Sequence, residues 1–136
     1  MSTTKPEKNR VADSVAPEIY LRRFKTFDVV RVPFPFTDRL ASKSRPALIL
    51  SSERHFNTAA GHSVMAMITS ETNSPWPQDC VIHNLQAAGL PAASKVRFKL
   101  FTLDHRLIRG VLGQLDATDQ VAIKNIFATV FADVLA

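Results

Sequence analysis

Three side chains in this 136-residue chain stand where they could act on a phosphate group. Arg45 precedes Pro46, whose fixed backbone angle places the arginine at a junction between a loop and a strand. Its planar guanidinium can pair with two phosphate oxygens at once, whereas a surface arginine commonly forms only a salt bridge. Thr69 and Ser70 are hydroxyls at the end of an apolar run, where such residues usually cap strands or make turns. Residue types alone therefore leave both interpretations open.

The sequence carries no standard catalytic motif. It has no phosphate-binding glycine loop, no Cys-x-x-Cys or His-x-x-x-His spacing for a metal, and no nucleophile elbow. We therefore expect no metal centre and no cofactor. Cys80 lies in an alternating apolar run, which predicts a buried structural thiol and not a nucleophile. The histidines stand singly, at His55, His62, His83 and His105.

The composition is that of a folded, basic protein. Hydrophobic residues make up 46% of the chain and charged residues 21%, which is an ordinary globular balance for a single domain. A net charge of +5 attracts polyanions such as RNA, although a basic protein need not bind one. A single cysteine cannot form an internal disulfide, and no apolar run approaches the roughly 20 residues that cross a bilayer. We expect a cytoplasmic protein.

The N-terminal segment differs from the rest of the chain. Residues 1–24 combine lysines and arginines with small polar residues and prolines, without a hydrophobic period, which predicts a flexible basic tail. The alternative is an arm that contacts the RNA backbone. Residues 25–136 are predicted to form the folded domain.

From Phe27 onward, short β-branched and aromatic runs alternate with turn residues, which is typical of an all-β barrel or sandwich. Pro33 and Pro35 cannot donate to a ladder, so we expect the second half of the first strand at an edge or in a loop. No gap between strands carries a long helical pattern, which argues against a parallel sheet. The predicted strands are residues 28–36, 46–51, 63–69, 80–83, 95–100 and 106–112.

The C-terminal segment has a helical period. Apolar pairs recur every four residues, which places them on one face of a helix. Asp116 is the predicted N-cap, and Asp119 in the first turn favours the helix dipole. We expect the apolar stripe to pack onto the barrel or onto a partner. Its members are Ile126, Phe127, Val130, Phe131, Val134 and Leu135.

Several segments, in register along the chain, resemble the MazF/PemK family of mRNA-interferase toxins. The resemblance begins with residues 28–38 (DVVRVPFPFTD) and residues 44–51 (SRPALILS). It covers about residues 25 to 135, because shorter pieces follow in the same order. These pieces are residues 68–70, 79–82, 88–90, 94–97, 99–104 and 112–115.

The resemblance implies an SH3-like barrel with a C-terminal helix, in a toxin of a type II toxin–antitoxin system. The family cleaves single-stranded RNA without a metal, and we expect this chain to do so through a 2′,3′-cyclic phosphate. The implied partners are single-stranded RNA, a cognate antitoxin and a second copy of the chain, with no membrane. Such cleavage needs a base for the ribose 2′-hydroxyl, a group that stabilises the phosphorane, and a donor for the leaving oxygen.

The resemblance also implies roles for particular residues. By position, Arg45 matches the catalytic arginine, and Thr69 matches a hydroxyl that positions or protonates a phosphate oxygen. Ser70, Arg97 and Lys99 are expected to contact RNA, although the two cations could also be plain surface charges. Flanking loops are expected to hold bases, because unpaired bases stack on aromatic faces. The loop candidates are Phe36, Arg54, His55 and Trp76. The tryptophan could instead fold onto the barrel or dock the antitoxin.

Two positions depart from the family pattern. Some relatives carry an Arg-x-Asp in a late strand, with the carboxylate as general base, whereas this chain reads Arg97-Phe98-Lys99. The departure leaves no base at that place. Phe27 stands where the family usually has glycine, at the turn into the first strand.

Two other functions are alternatives to RNA cleavage. One is a gyrase poison like CcdB, which acts through a C-terminus ending in tryptophan, glycine and isoleucine. This chain ends at residues 133–136 with the sequence DVLA, and it has the Arg45-Pro46 pair. The other is a barrel that binds nucleic acid without cleaving it, which the missing carboxylate keeps open.

Overall fold

The fold is built on one antiparallel sheet of six strands in the order β4-β5-β3-β2-β1-β6. The computed structural model describes residues 23–34 and 43–136, so Phe36 lies outside the described residues. The sheet curls into a half-barrel and the chain ends in a helix. The strands are β1 (Asp28–Phe34), β2 (Lys43–Ile49), β3 (His62–Ser70), β4 (Cys80–Val81), β5 (Ser94–Asp104) and β6 (Gly110–Gln114).

Helical segments fill two of the connections and follow the last strand. A π-helix at Glu53–Asn57 leads into the short helix α1, and α2 follows β4. In the described part of the chain, no helix is long and apolar enough to span a membrane. The α-helices are α1 (Thr58–Ala60), α2 (Leu85–Ala88), α3 (Ala117–Val130) and α4 (Ala132–Leu135).

The prediction of a mainly β fold with a C-terminal helix is confirmed, but the last strand was placed too early. Its predicted range was 106–112, whereas β6 begins at Gly110. The reason is local, because the Asp104 side chain accepts the Arg106 backbone N–H at 2.8 Å and starts a 3-10 turn at His105–Leu107. That turn uses the residues that were expected to begin the strand.

Each face of the sheet carries a buried apolar cluster. The helix-side cluster lies under α3 and includes Val29, Leu48, Ala66, Ile68, Val96 and Ile123. The far-side cluster lies on the opposite face and includes Phe24, Val30, Val32, Ala47, Ile49 and Met65. The buried ring of Phe24 shows that packed structure begins before residue 25, inside the segment predicted as tail. Alternation along the strands therefore sends successive side chains to two different cores.

The predicted N-cap of the C-terminal helix is confirmed, and a second acidic residue anchors the helix. Asp116 accepts the backbone N–H of Asp119 at 2.9 Å. The Asp119 side chain is itself buried and accepts the backbone N–H groups of His83 and Asn84. Ile123, one turn later, is buried in the helix-side cluster. The helix is therefore fixed to the β4–α2 turn at its first turn.

The barrel covers only part of the apolar stripe predicted on this helix. Ile126 and Phe127 are half-buried, whereas Val130 is exposed and Val134 is 80% exposed. The regular helix ends at Val130, and Phe131 leaves the helical conformation with ψ of 24°. The regular helix therefore ends before the end of the stripe, where Val134 stays exposed while Leu135 lines a cavity with Phe27 and Leu50.

Two glycines let α2 pack directly against β6. Gly89 has φ of 72°, and a Cβ there would overlap the backbone carbonyl of Leu112. A Cβ at Gly113 would overlap the backbone of Ala87 and Ala88. The backbones at the end of α2 and in β6 are therefore in direct contact.

We predict that Gly89→Ala destabilises the protein much more than Gly61→Ala. Both glycines have positive φ, but nothing lies within 4 Å of a Cβ built at Gly61. Gly61→Ala should therefore cost about 1 kcal/mol of backbone strain. Gly89→Ala should cost this strain and, in addition, about 1–3 kcal/mol from overpacking. Urea unfolding followed by circular dichroism measures both, and equal midpoints would contradict the close packing.

We also predict that Asp119→Asn lowers the free energy of unfolding by about 2 kcal/mol, because an amide nitrogen facing buried N–H donors leaves polar groups unsatisfied. Asp116→Asn is the matched control in the same helical turn. Asparagine is as good an N-cap as aspartate, so the control should change stability by less than ~0.5 kcal/mol. Similar losses in both variants would show that burial of Asp119 is not what matters.

Candidate functional site

The strand register brings the predicted catalytic residues to one place. In the β2–β3 ladder, Ala47 pairs with Met67. The pairing stops at these two residues, and Arg45 and Thr69 lie two residues beyond them on the same two strands. Both side chains lie on the face of the far-side cluster, away from α3, because side chains two residues apart share a face. Residues that are 24 positions apart in the chain therefore lie at the same end of neighbouring strands.

Strand β5 adds two cations to the same face. Thr69 pairs with Lys95, and Met67 pairs with Arg97. A register shift between Ala66 and Met67 separates this part of the ladder from the rest of β5. We call Arg45, Thr69, Lys95 and Arg97 the polar row. It crosses three adjacent strands of the sheet.

The guanidinium of Arg45 is exposed at one end of the polar row. Its Cζ atom lies 5.5 Å from the centroid of the Phe34 ring, which supports the side chain by a cation–π contact. Within residues 23–34 and 43–136, no hydrogen bond or ion pair occupies the donors of Arg45. The planar fork can therefore receive an anion.

The two predicted hydroxyls both hold the loop that follows β3. Thr69 Oγ1 accepts a hydrogen bond of 2.5 Å from Asn73 Nδ2. Ser70 Oγ lies 2.9 Å from Thr72 Oγ1 and also accepts the Thr72 backbone N–H. Because Thr69 accepts from Asn73, its own O–H proton is free to donate to another group. Asn73 was not predicted as a site residue.

A carboxylate at the end of this loop binds two of the three cations of β5. Asp79 Oδ2 lies 3.1 Å from Lys95 Nζ and 2.9 Å from Arg97 Nη2, and Oδ1 lies 3.2 Å from Arg97 Nε. It also accepts the Trp76 backbone N–H at 3.0 Å. The Asp79 side chain is 13% exposed and that of Lys95 only 8%. Asp79 and Lys95 were missed by the sequence analysis, although Lys95 continues the alternation of Arg97 and Lys99.

These contacts shift the acid–base properties of the pair. Burial by itself raises the pKa of Asp79, but hydrogen bonds from Arg97, Lys95 and the Trp76 N–H outweigh it, so this pKa lies below the ordinary value. The hydrogen bonds that Arg97 donates to Asp79 in turn raise the pKa of Arg97. Both groups are therefore charged at neutral pH.

The indole of Trp76 lies over cations of β5. Its ring centroid is 5.8 Å from Arg97 Cζ and 5.1 Å from Lys99 Nζ, which are cation–π distances. The residue is 39% exposed, so part of the ring faces solvent. Arg97 also donates to the Ser74 carbonyl at 2.6 Å. The Trp76 loop is therefore held against the barrel, which is one of the alternatives expected for this residue.

Other predicted site residues lie elsewhere. Arg54 and His55 are exposed on the π-helix between β2 and β3, at the ends of these strands opposite to Arg45 and Thr69. The fold does not bring them to the polar row. In the described ranges, no group of three His, Cys, Asp or Glu side chains could hold a metal ion. Cys80 is buried as predicted, and this burial raises its pKa.

On this face the exposed guanidinium of Arg45 lies on the strand next to the Thr69 hydroxyl, and such groups can bind an anion. The chain belongs to the family of PemK-like, MazF-like toxins of type II toxin–antitoxin systems, whose family model matches residues 25–131. The resemblance found in the sequence is therefore confirmed. No curated protein sequence matches the chain.

Solved structures share the fold at low sequence identity. The MazE–MazF complex from Deinococcus radiodurans matches with a TM-score of 0.65 and 18% identity, over 82% of this chain and 98% of that chain. An endoribonuclease in complex with its cognate antitoxin from Mycobacterial species matches at 0.63 and 17%, over 82% and 96%. The Mycobacterium tuberculosis toxin MazF-mt6 matches at 0.59 and 20%, over 77% and 96%. These likenesses confirm the fold that the family resemblance implied.

We predict that the fluorescence of Trp76, the single tryptophan of the chain, stays constant between pH 8 and pH 5. The folded pKa of Asp79 is lowered, so its ion pairs contribute stability above the ordinary value of 3.8 and lose it as pH falls through the folded pKa. The emission should change only below 3.8, when the protonated carboxyl releases Arg97. Asp79→Asn should show no such transition, and a wild-type change between pH 8 and pH 5 would contradict the assignment.

Proposed function

We propose that this protein is a type II toxin that cleaves single-stranded RNA without a metal, through a 2′,3′-cyclic phosphate. One observation carries the proposal, namely that the Arg45 fork is exposed and lies on the strand next to Thr69. A fork that pairs bidentately with phosphate oxygens suits phosphoryl chemistry, and membership of the toxin family supports the same reaction. The cytoplasm, where RNA is available, is the proposed site of action.

In the proposed reaction the ribose 2′-oxygen attacks the adjacent phosphorus. The 2′-hydroxyl gives its proton to solvent as its bond to phosphorus forms. The bond from phosphorus to the 5′-oxygen breaks, and solvent returns a proton to that oxygen, which leaves a 2′,3′-cyclic phosphate and a 5′-hydroxyl. Arg45 stabilises the negative charge of the pentavalent phosphorane. Thr69, whose oxygen accepts from Asn73, donates its O–H to a phosphate oxygen. These two residues act from adjacent strands, so neither depends on a flexible loop for its position.

The general base is not assigned to a carboxylate of β5, because this strand reads Arg97-Phe98-Lys99. Asp79 reaches the polar row from the preceding loop, but it is paired with Lys95 and Arg97 and its pKa is lowered. A carboxylate with a lowered pKa binds a proton weakly and makes a poor base. The rate therefore depends mainly on stabilisation of charge by Arg45.

RNA is proposed to run along the polar row. Lys99 is exposed and free to contact phosphate, whereas most donors of Arg97 are taken by Asp79 and Ser74, so Arg97 acts more through position than through contact. Ser70 stays a proposed RNA contact beside Thr69. Arg54 and His55 would meet RNA only if the strand continued around the barrel.

The proposed partners are a second copy of the chain and a cognate antitoxin. The similar structures from Deinococcus radiodurans and Mycobacterial species are complexes of a toxin with its antitoxin. We infer that an acidic segment of the antitoxin lies along the polar row, where its carboxylates would compete with RNA phosphates. The apolar residues Val134 and Leu135 are exposed, so a partner could pack against this end of the helical stripe.

We predict that Arg45→Ala lowers the rate of RNA cleavage in excess EDTA by ~10² to 10³, because a charge-assisted contact to the transition state is lost. Arg45→Lys should restore only part of the rate, since an ammonium cannot replace a bidentate fork. The substrate is a mixed single-stranded RNA, and the fragments are sequenced to find the cut.

Arg54→Ala is the matched control, because it removes an exposed arginine at the other end of the same strands. It should cleave within about twofold of wild type at moderate salt, where distant surface charges are screened. A folded Arg45→Ala variant that cleaves at the wild-type rate would contradict the role of Arg45. A wild-type protein that binds RNA but never cuts it would favour the non-catalytic barrel.

A further inference from the structure

Asp79 is a half-buried carboxylate that lies between two cations of β5. It begins the family-like segment 79–82, but it takes no part in the proposed reaction. A negative charge beside a phosphate backbone repels it and weakens binding. A carboxylate beside the polar row therefore needs a favourable effect that offsets this repulsion. The hydrogen bonds of Asp79 indicate what that effect is.

The favourable effect of Asp79 is that it holds Arg97 and Trp76 in place. Its carboxylate accepts the Trp76 backbone N–H and binds the fork of Arg97 with both oxygens. Arg97 in turn donates to the Ser74 carbonyl and lies under the Trp76 ring. Asp79 thus fixes both the backbone and the indole of Trp76, although it lies three residues away from it.

The held indole has the properties of a base-binding surface. It is partly exposed, it is flat, and the exposed Lys99 ammonium lies 5.1 Å from its centroid. Unpaired bases stack on aromatic side chains, and a neighbouring cation contacts the phosphate that joins two bases. A tryptophan that rotated freely would lose part of this stacking energy to side-chain ordering.

We propose that Asp79 is a positioning residue that holds Trp76 as a stacking platform for one unpaired base of the RNA beside the cut. The inference rests on the proposed function, because it takes RNA as the ligand of the polar row. Asp79 contacts neither phosphate nor base. Its negative charge weakens the attraction for the RNA backbone as a whole, while the Trp76 ring that it holds makes a defined contact with one nucleotide.

The proposal is tested with an oligonucleotide of the cleaved sequence that carries a 2′-deoxyribose at the cut and is therefore not cleaved. A set of the same oligonucleotide replaces one base at a time by an abasic site. Binding is followed by quenching of the single tryptophan and by anisotropy of a labelled strand. For wild type, one abasic position should weaken binding about tenfold, which is the size expected for one stacked base.

Asp79→Asn should weaken binding of the intact oligonucleotide about tenfold, as loss of one stacked base would. It should bind the oligonucleotide that is abasic at the sensitive position as tightly as wild type, or more tightly, because a negative charge has gone. A variant that is merely less stable would lose affinity for both strands. Asp79→Glu, which keeps the carboxylate, should recover part of the preference, and the rate of cutting at saturating RNA should change little in either variant.

Asp104→Asn is the matched control, because Asp104 also pairs with an arginine, Arg106, but at the other end of β5. It should leave the abasic profile unchanged. If Asp79→Asn does not fold, Trp76→Leu provides the second test and must remove the sensitive position. A folded Asp79→Asn that keeps the wild-type profile, or a Trp76→Leu that keeps it, overturns the inference. A wild-type protein that neither binds nor cuts RNA overturns the proposed function instead.

Discussion

The architecture depends on the hydrogen bonds that the buried carboxylate of Asp119 accepts from the turn after β4. A buried charge is costly unless hydrogen bonds satisfy it, and here the N–H groups of His83 and Asn84 do so. The same contact ties the first turn of α3 to the turn between β4 and α2. Ile123 can then cover the helix-side cluster, and α2 can pack against β6 through Gly89. A polar contact thus decides where the apolar surfaces meet.

Placing the helix on one face leaves the other face of the sheet for the site. On β2 and β3, the residues that alternate with the helix-side cluster form the far-side cluster, and at the strand ends they become polar. Arg45 and Thr69 therefore lie on the same face as the far-side cluster, at the strand ends where that face reaches solvent. Both residues lie on strands, so the sheet fixes their backbone without a bound ligand, which reduces the ordering cost of binding one.

Arg45 and the three cations of β5 are of two kinds. Lys95 and Arg97 are neutralised by Asp79 and hold a loop, whereas Arg45 and Lys99 keep exposed charges for a ligand. Counting basic residues would therefore overstate the attraction for RNA. Asp79 does not replace the missing carboxylate of β5 as a base, because it is paired with both Lys95 and Arg97.

The sequence by itself determined most of the strands, the N-cap at Asp116 and the buried Cys80, and it singled out Arg45 as a candidate, because alternation, capping and a family-like segment are local signals. It did not determine the roles of Asp79, Asn73 and Lys95, since these depend on which strands are neighbours and on a register shift in β5. Nor could it separate Arg54 and His55 from the site, because candidates on a loop look alike until the fold assigns each loop to one end of the sheet. Long-range pairing alone decides which charges meet, and in this protein it places a carboxylate between two cations that the sequence presents as free.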